Sequence, residues 1–362
     1  MMRGGTIFSA SDKSINDALN QKTVTNSDLR ELFLSRGILI SKDSSRKGLA
    51  LHFSRLSHDY LDYERLARIF GSQVHHEKIS STRITTDVPI STFESSAHEL
   101  KANLEQSGAV VKVYATKGNR LDIEIKYQKL QFNKSEFRQV VNRTAMISVQ
   151  REGDDLVFHG PHNEDVREWV DQLGKTASEK SGENLEFDDI ELPPNFSAKQ
   201  KSSFFTNLIK SIDGHHLVDV SDVYVSHPRA DENDDDDDDD SEKVSTGIHI
   251  SKASLKGQGV LHSDELKLLE NKGFYISKIV WTSKNGLADS DLYEFEAQFS
   301  SPDDCSGFTY LPRGFYRHLD GYEFSKNRTG FTNEEEYRLG KLIELAARST
   351  LENLTGDNDA EG

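Results

Sequence analysis

Cysteine is nearly absent: among 362 residues only Cys305 carries a thiol. One thiol closes no intramolecular disulfide and completes no multi-cysteine zinc site, which favours a reducing compartment, with the cytoplasm as the default. Long apolar runs are missing too. No stretch approaches the roughly 18 apolar residues of a membrane span, and Met1 to Ala10 hold no apolar segment of signal-peptide length, so no membrane partner is expected. Nucleotide and hydrolase signatures are also lacking. There is no Gly-x-x-x-x-Gly-Lys phosphate loop and no Gly-x-Ser-x-Gly elbow, and Gly257-Gln258-Gly259 stops short of a dinucleotide fingerprint. No cofactor is therefore expected, and no reaction is legible.

What the chain has in abundance is negative charge. Sixty-one Asp and Glu stand against 44 Lys and Arg, a formal net charge of -17. Ten of those carboxylates fall between Asp231 and Glu242, including seven consecutive aspartates at Asp234 to Asp240, and without that tract the net charge would be -7. A block of like charges repels itself and buries nothing, so the tract reads as a solvated loop. Residues 1–90 differ in sign, with 13 Lys and Arg against 10 Asp and Glu. An apolar fraction of 35% and a charged fraction of 29% leave room for real cores beside polar linkers, and the length suits several domains.

Periodicity and cap residues organise the chain. Residues 1–22 read as a flexible arm, and 23–72 as a small trihelical module. Its first helix starts at Thr25-Asn26-Ser27-Asp28 and closes at Gly37, Ile38-Leu39-Ile40 is extended, and Ser44-Ser45 and Asp59 cap two further helices. Ser72 to Asp87 reads as a linker with some extended structure. Residues 88–175 follow a helix, strands, helix plan: alternation at Leu121, Ile123, Ile125 and Tyr127 marks a sheet with one wet face, and the last helix carries Val166, Trp169 and Leu173 and stops at Gly174. Residues 176–198 read as an interdomain linker, and 199–355 as a second α+β domain. Its acidic insertion, 229–244, separates strands at Leu217 to Val225 and Thr246 to Ile250. A final helix begins at a Thr332-x-x-Glu335 capping box, and the tail 356–362 reads as loose. The expected class is α+β with antiparallel sheets behind a helical module.

One stretch carries a family resemblance. Ser27-Asp28-Leu29-Arg30-Glu31-Leu32, then Ser35-Arg36-Gly37-Ile38, Ser45-Arg46-Lys47-Gly48-Leu49 and Arg55-Leu56 together resemble the SAP family, a helix-extended-helix module that binds DNA. The resemblance covers about 30 residues, 26–56. It implies phosphate contacts from Arg36, Lys42, Arg46, Lys47 and Arg55, hence salt-dependent, weakly sequence-selective binding.

Other constellations stand beside their plainer readings. Asp122, Glu124 and Lys126 invite comparison with metal-dependent nucleases, but they share one strand face and lack an acidic ligand from a separate upstream strand. Alternating charges on a wet face are the simpler reading. His75-His76-Glu77, His159-Gly160-Pro161-His162 and Asp213-Gly214-His215-His216 have no metalloprotease spacing, so no metal site is expected. Near the end, Tyr310, Arg313, Tyr316 and Arg317 belong to an aromatic and cationic run that can stack single-stranded bases or simply fill the core.

The resulting expectation is a non-enzymatic cytoplasmic binding or adaptor protein with DNA and other protein subunits as partners. In general style it resembles accessory subunits of bacterial antiviral defence systems. The alternatives are a divergent metal-dependent nuclease and a pure protein-interaction scaffold. The acidic tract is either a spacer or a competitor for the basic module.

Overall fold

The computed structural model describes residues 9–22, 24–71, 77–116, 119–133, 136–227, 251–287, 289–321 and 323–361. The acidic tract and the strand expected at Thr246 to Ile250 lie outside them. The fold class is α+β, with nine helices and one eleven-stranded antiparallel sheet among the described residues. In chain order the elements are α1 (Asp12–Leu19), α2 (Asn26–Leu34), α3 (Arg46–Ser54), α4 (Tyr60–Gly71), β1 (Ile79–Thr85), α5 (Ile90–Gln106), β2 (Val110–Thr116), β3 (Arg120–Leu130), β4 (Val140–Glu152) and β5 (Asp155–Pro161). There follow α6 (Glu164–Ser181), β6 (Asp188–Asp189), α7 (Ala198–Leu208), β7 (His215–Ser226), β8 (Lys252–Lys256), α8 (Asp264–Asn271), β9 (Tyr275–Asn285), β10 (Leu292–Ser301), β11 (Ser306–Tyr316) and α9 (Asn333–Glu361). The strand order is β2-β3-β4-β5-β1-β11-β10-β9-β7-β8, with β6 paired to β1 off that path. The chain divides into two compact units. The first is Met1–His76, His98–Val113 and Ile123–Met146; the second is Glu77–Ala97, Tyr114–Asp122 and Ile147–Gly362.

In the first unit, helix caps set the boundaries. Thr25 and Asp28 form a reciprocal capping box on α2, and the Ser45 hydroxyl accepts the Gly48 N–H at 3.2 Å on α3. Gly37 turns the chain out of α2 at φ +71°, a conformation that favours glycine. Leu29, Phe33, Leu49, Phe53 and Leu66 then share one buried cluster, each side chain contributing about 1.5–3 kcal/mol of transfer free energy. Ile15, Ala18 and Leu19 join it, so part of the expected arm is α1, an ordered helix packed on that core.

The second unit is organised around β1. Its register with β5 sets Ser81 opposite His159 and Thr85 opposite Asp155, Ile79 faces Tyr310 of β11, and β6 occupies the remaining edge at Thr82 and Arg83. Much of the segment read as a linker is therefore a central strand. On one face Phe204 and Phe205 of α7 and Leu339 and Ile343 of α9 cluster with Trp281, Phe295, Phe299, Phe308 and Tyr310. The close approach of α9 depends on Gly340, where a Cβ would stand 3.1 Å from the Tyr310 ring. On the opposite face Phe158 meets Phe93 of α5 at 5.6 Å and Phe187 at 5.7 Å.

Three further expectations change here. Helix α6 does not stop at Gly174 but runs to Ser181 and ends at Gly182 with φ +74°. Within 176–198, Ile190, Leu192 and Phe196 are buried, so much of that segment packs against the core. The closing helix α9 continues past Gly356 to Glu361, after starting at the Thr332 and Glu335 capping box.

Candidate functional site

The five cations singled out in the helix-extended-helix stretch divide into two groups. Arg36 is half-buried: its guanidinium pairs with Asp62, donates to the Ser57 carbonyl at 2.7 Å, lies 2.9 Å from His58 Nδ1 and sits 5.0 Å above the Phe53 ring. Arg46 donates to the carbonyls of Leu19, at 3.2 Å, and Gln21, tying α3 to the end of α1. These two arginines hold the module together. Lys42, Lys47 and Arg55 are exposed and make no ion pair among the described residues. Beside them Leu39 is 87% exposed and Leu34 60%, an apolar rim on the same module.

The carboxy-terminal candidates separate by sheet face. Tyr310 is fully buried in the core, whereas Arg313 and Tyr316 lie on the opposite face and Arg317 is exposed beyond the strand. A register shift between Glu294 and Phe295 changes which residues of β11 oppose β10, so simple alternation does not carry through.

That opposite face holds an ion network that sequence reading did not assemble. Lys278 and Lys78 lie 2.7 and 2.8 Å from Glu296 Oε1, and Arg313 lies 3.6 Å from its other oxygen. Arg313 also reaches Glu294 at 3.3 Å, Arg328 pairs with the same carboxylate, and the Tyr316 hydroxyl donates to it at 3.3 Å. At the far edge Lys256 lies 3.3 Å from Asp222, and Lys278 stands 4.9 Å above the Tyr224 ring. Five cations thus surround three carboxylates. Burial alone would raise the Glu296 carboxyl, but Lys278 and Lys78 outweigh it and hold it below the ordinary carboxylate range.

Under α9 lies a second network, centred on a fully buried carboxylate. Glu344 is 0% exposed; Arg348 Nε lies 2.8 Å from its Oε1, His159 Nε2 lies 3.4 Å from its Oε2, and Arg83 reaches within 3.9 Å. Arg348 continues to Asp188 at 2.7 Å, and Arg83 to Asp155 at 3.0 Å. The only trace in sequence is the i, i+4 spacing of Glu344 and Arg348, each directly after an apolar residue, Ile343 and Ala347, where a helix stripe would otherwise be hydrophobic.

The nuclease constellation is committed elsewhere. Asp122 receives Arg120 Nε at 2.9 Å and the Ser148 hydroxyl at 2.7 Å, and Glu124 pairs with Lys126 at 3.1 Å. Among the described residues no group of three or more His, Cys, Asp or Glu is arranged to hold a metal ion. Burial pushes the Cys305 thiol up, against a nucleophilic role. No helix among the described residues is long and apolar enough to cross a membrane. No family model matches the chain, and no curated protein matches it.

Proposed function

We propose that this chain is a non-enzymatic, cytoplasmic nucleic-acid-binding adaptor, working with other protein subunits as antiviral defence accessory proteins do. The observation that carries the reading is the division of labour in the amino-terminal module: Arg36 and Arg46 are spent on internal contacts, while Lys42, Lys47 and Arg55 are exposed and have no ion-pair partner among the described residues. Unpaired cations on a rigid support can neutralise backbone phosphates without first breaking an internal pair. The amino-terminus of α3 lies between Lys42 and Lys47 and adds the favourable end of its dipole. The single thiol supports the compartment. The exposed Leu34 and Leu39 support a protein partner on the same module.

The test is retention of a labelled duplex by the full chain across a salt series. Lys47→Glu should weaken binding several-fold at low salt and make the salt slope shallower by about one unit or more, as expected when a phosphate contact is lost. If the unaltered chain shows no retention at low ionic strength, the nucleic-acid reading is wrong and a protein scaffold remains.

A further inference from the structure

The ion network on the sheet face away from α7 and α9 is layered. Its carboxylates lie deep, with side-chain exposures of 7% at Glu296, 11% at Glu294 and 20% at Asp222, while the cations around them keep between 22% at Lys278 and 65% at Lys256. Positive charge therefore meets the solvent. Lys78, Lys256, Lys278, Arg313 and Arg328 exceed the three carboxylates by two charges, and Glu296 alone is shared by Lys78, Lys278 and Arg313. A lysine that gives one donor to such a carboxylate keeps others for a second anion.

The cations are strung out and not gathered at a point. Lys256 stands on β8, Lys278 on β9 and Arg313 on β11, and with neighbouring strands about 4.8 Å apart the four spacings from β8 to β11 span about 19 Å. A single phosphate cannot touch both ends of such a row, but a strand of about five nucleotides at stacked spacing can. Rings accompany the charges. The Tyr224 centroid lies 5.8 Å from the Lys256 ammonium and 4.9 Å from that of Lys278, and Tyr316, half-buried, turns its hydroxyl to Glu294 at 3.3 Å. Tyr224 thus holds two lysines in place, and the Tyr316 ring offers a surface on which an unpaired base can stack. An acidic peptide would use the charges but not that ring, and a duplex keeps its base faces stacked. We propose that this face binds single-stranded nucleic acid, the backbone running along the cations from β8 to β11 with a base on Tyr316. The proposal goes beyond the amino-terminal module to a second surface and rests on none of that module's contacts.

The experiment is fluorescence anisotropy of a labelled oligothymidine of about 15 nucleotides, titrated with the full chain across a salt series. The parent should bind saturably. Lys256→Gln together with Arg328→Gln, the two most exposed cations of the row, should weaken binding and make the salt slope shallower by about 0.7 for each phosphate contact removed. Tyr316→Leu should lose about fivefold or more in affinity with the slope unchanged, because it removes a stacked base and no charge. Far-ultraviolet circular dichroism checks that the variants are folded, and Lys256→Gln alone, a surface change, carries the slope measurement should the double variant fail to fold. Absence of saturable oligothymidine binding would overturn the assignment even where the duplex is retained, and leave the module's reading standing. An unchanged salt slope in the folded cation variants would overturn it as well. Displacement of the strand by polyglutamate at equal charge, with full affinity in Tyr316→Leu, would assign the face to an acidic protein instead.

Discussion

Glu344 has no access to solvent, yet it stays charged. Burial by itself raises its carboxyl, but His159 and Arg348 outweigh that and hold it below the ordinary carboxylate value. A buried ion pair contributes little net stability when complete, while removing one partner leaves an uncompensated charge. Glu344→Ala should therefore destabilise the protein by about 3 kcal/mol or more, measured by urea unfolding, because Arg348 and Arg83 would lose their shared acceptor. The sign of the pH effect follows from the depressed carboxyl. Its stabilisation is fully present above the ordinary carboxylate range and is lost as pH falls through the lowered folded value. Stability of the unaltered chain should thus fall steeply below about pH 4.5, and Glu344→Gln should flatten that limb. An unchanged acid limb in the variant would show that other carboxylates govern acid unfolding.

At the scale of elements, Gly174 explains why α6 outruns its sequence boundary. A glycine in a helical pattern reads as a stop, but here it makes room: a Cβ would lie 2.5 Å from the Phe187 ring, which already abuts Phe158. Alanine normally favours a helix over glycine by about 1 kcal/mol, and overpacking costs about 1–3 kcal/mol, so the two effects oppose each other. Because Phe187 is braced, we expect the clash to win and Gly174→Ala to lower Tm. Adding Phe187→Leu should restore it, and a Gly174→Ala variant more stable than the parent would show that the ring moves freely. Helix starts were legible because a cap is a local event: Thr25, Ser45, Asn163, Ser263 and Thr332 all accept the bonds that their sequence neighbourhood implies. β1 was not legible, since one of its faces carries Ser81 and Arg83 toward the Glu344 network, so the central strand lacks the apolar alternation that normally marks burial. The exposed Lys42, Lys47 and Arg55 could be named from sequence. That Arg36 and Arg46 turn inward could not, because Asp62 and the Leu19 carbonyl lie 26 and 27 residues away from them.

Over the whole molecule, charge opposes the function proposed for the amino-terminal module. A net charge of -17 repels a phosphate backbone, and the 12 residues from Asp231 to Glu242 supply -10 of it, although they lie outside the described residues. Repulsion of this kind acts through solvent and is screened, with a Debye length of about 30 Å at 0.01 M salt and about 8 Å at 0.15 M. The contacts of Lys42, Lys47 and Arg55 are also weakened by salt, but through counterion release at the phosphates themselves, so the two effects can be separated. Deleting Asp231 to Glu242 should raise duplex affinity most at the lowest ionic strength, and the advantage over the full chain should shrink as salt increases. Combined with Lys47→Glu, the deletion should still show its own low-salt gain, because a long-range field and a local contact contribute independently. Equal affinity at low salt would reduce the tract to a solvated spacer. A gain that persisted undiminished at high salt would instead require a direct contact that the deletion removes.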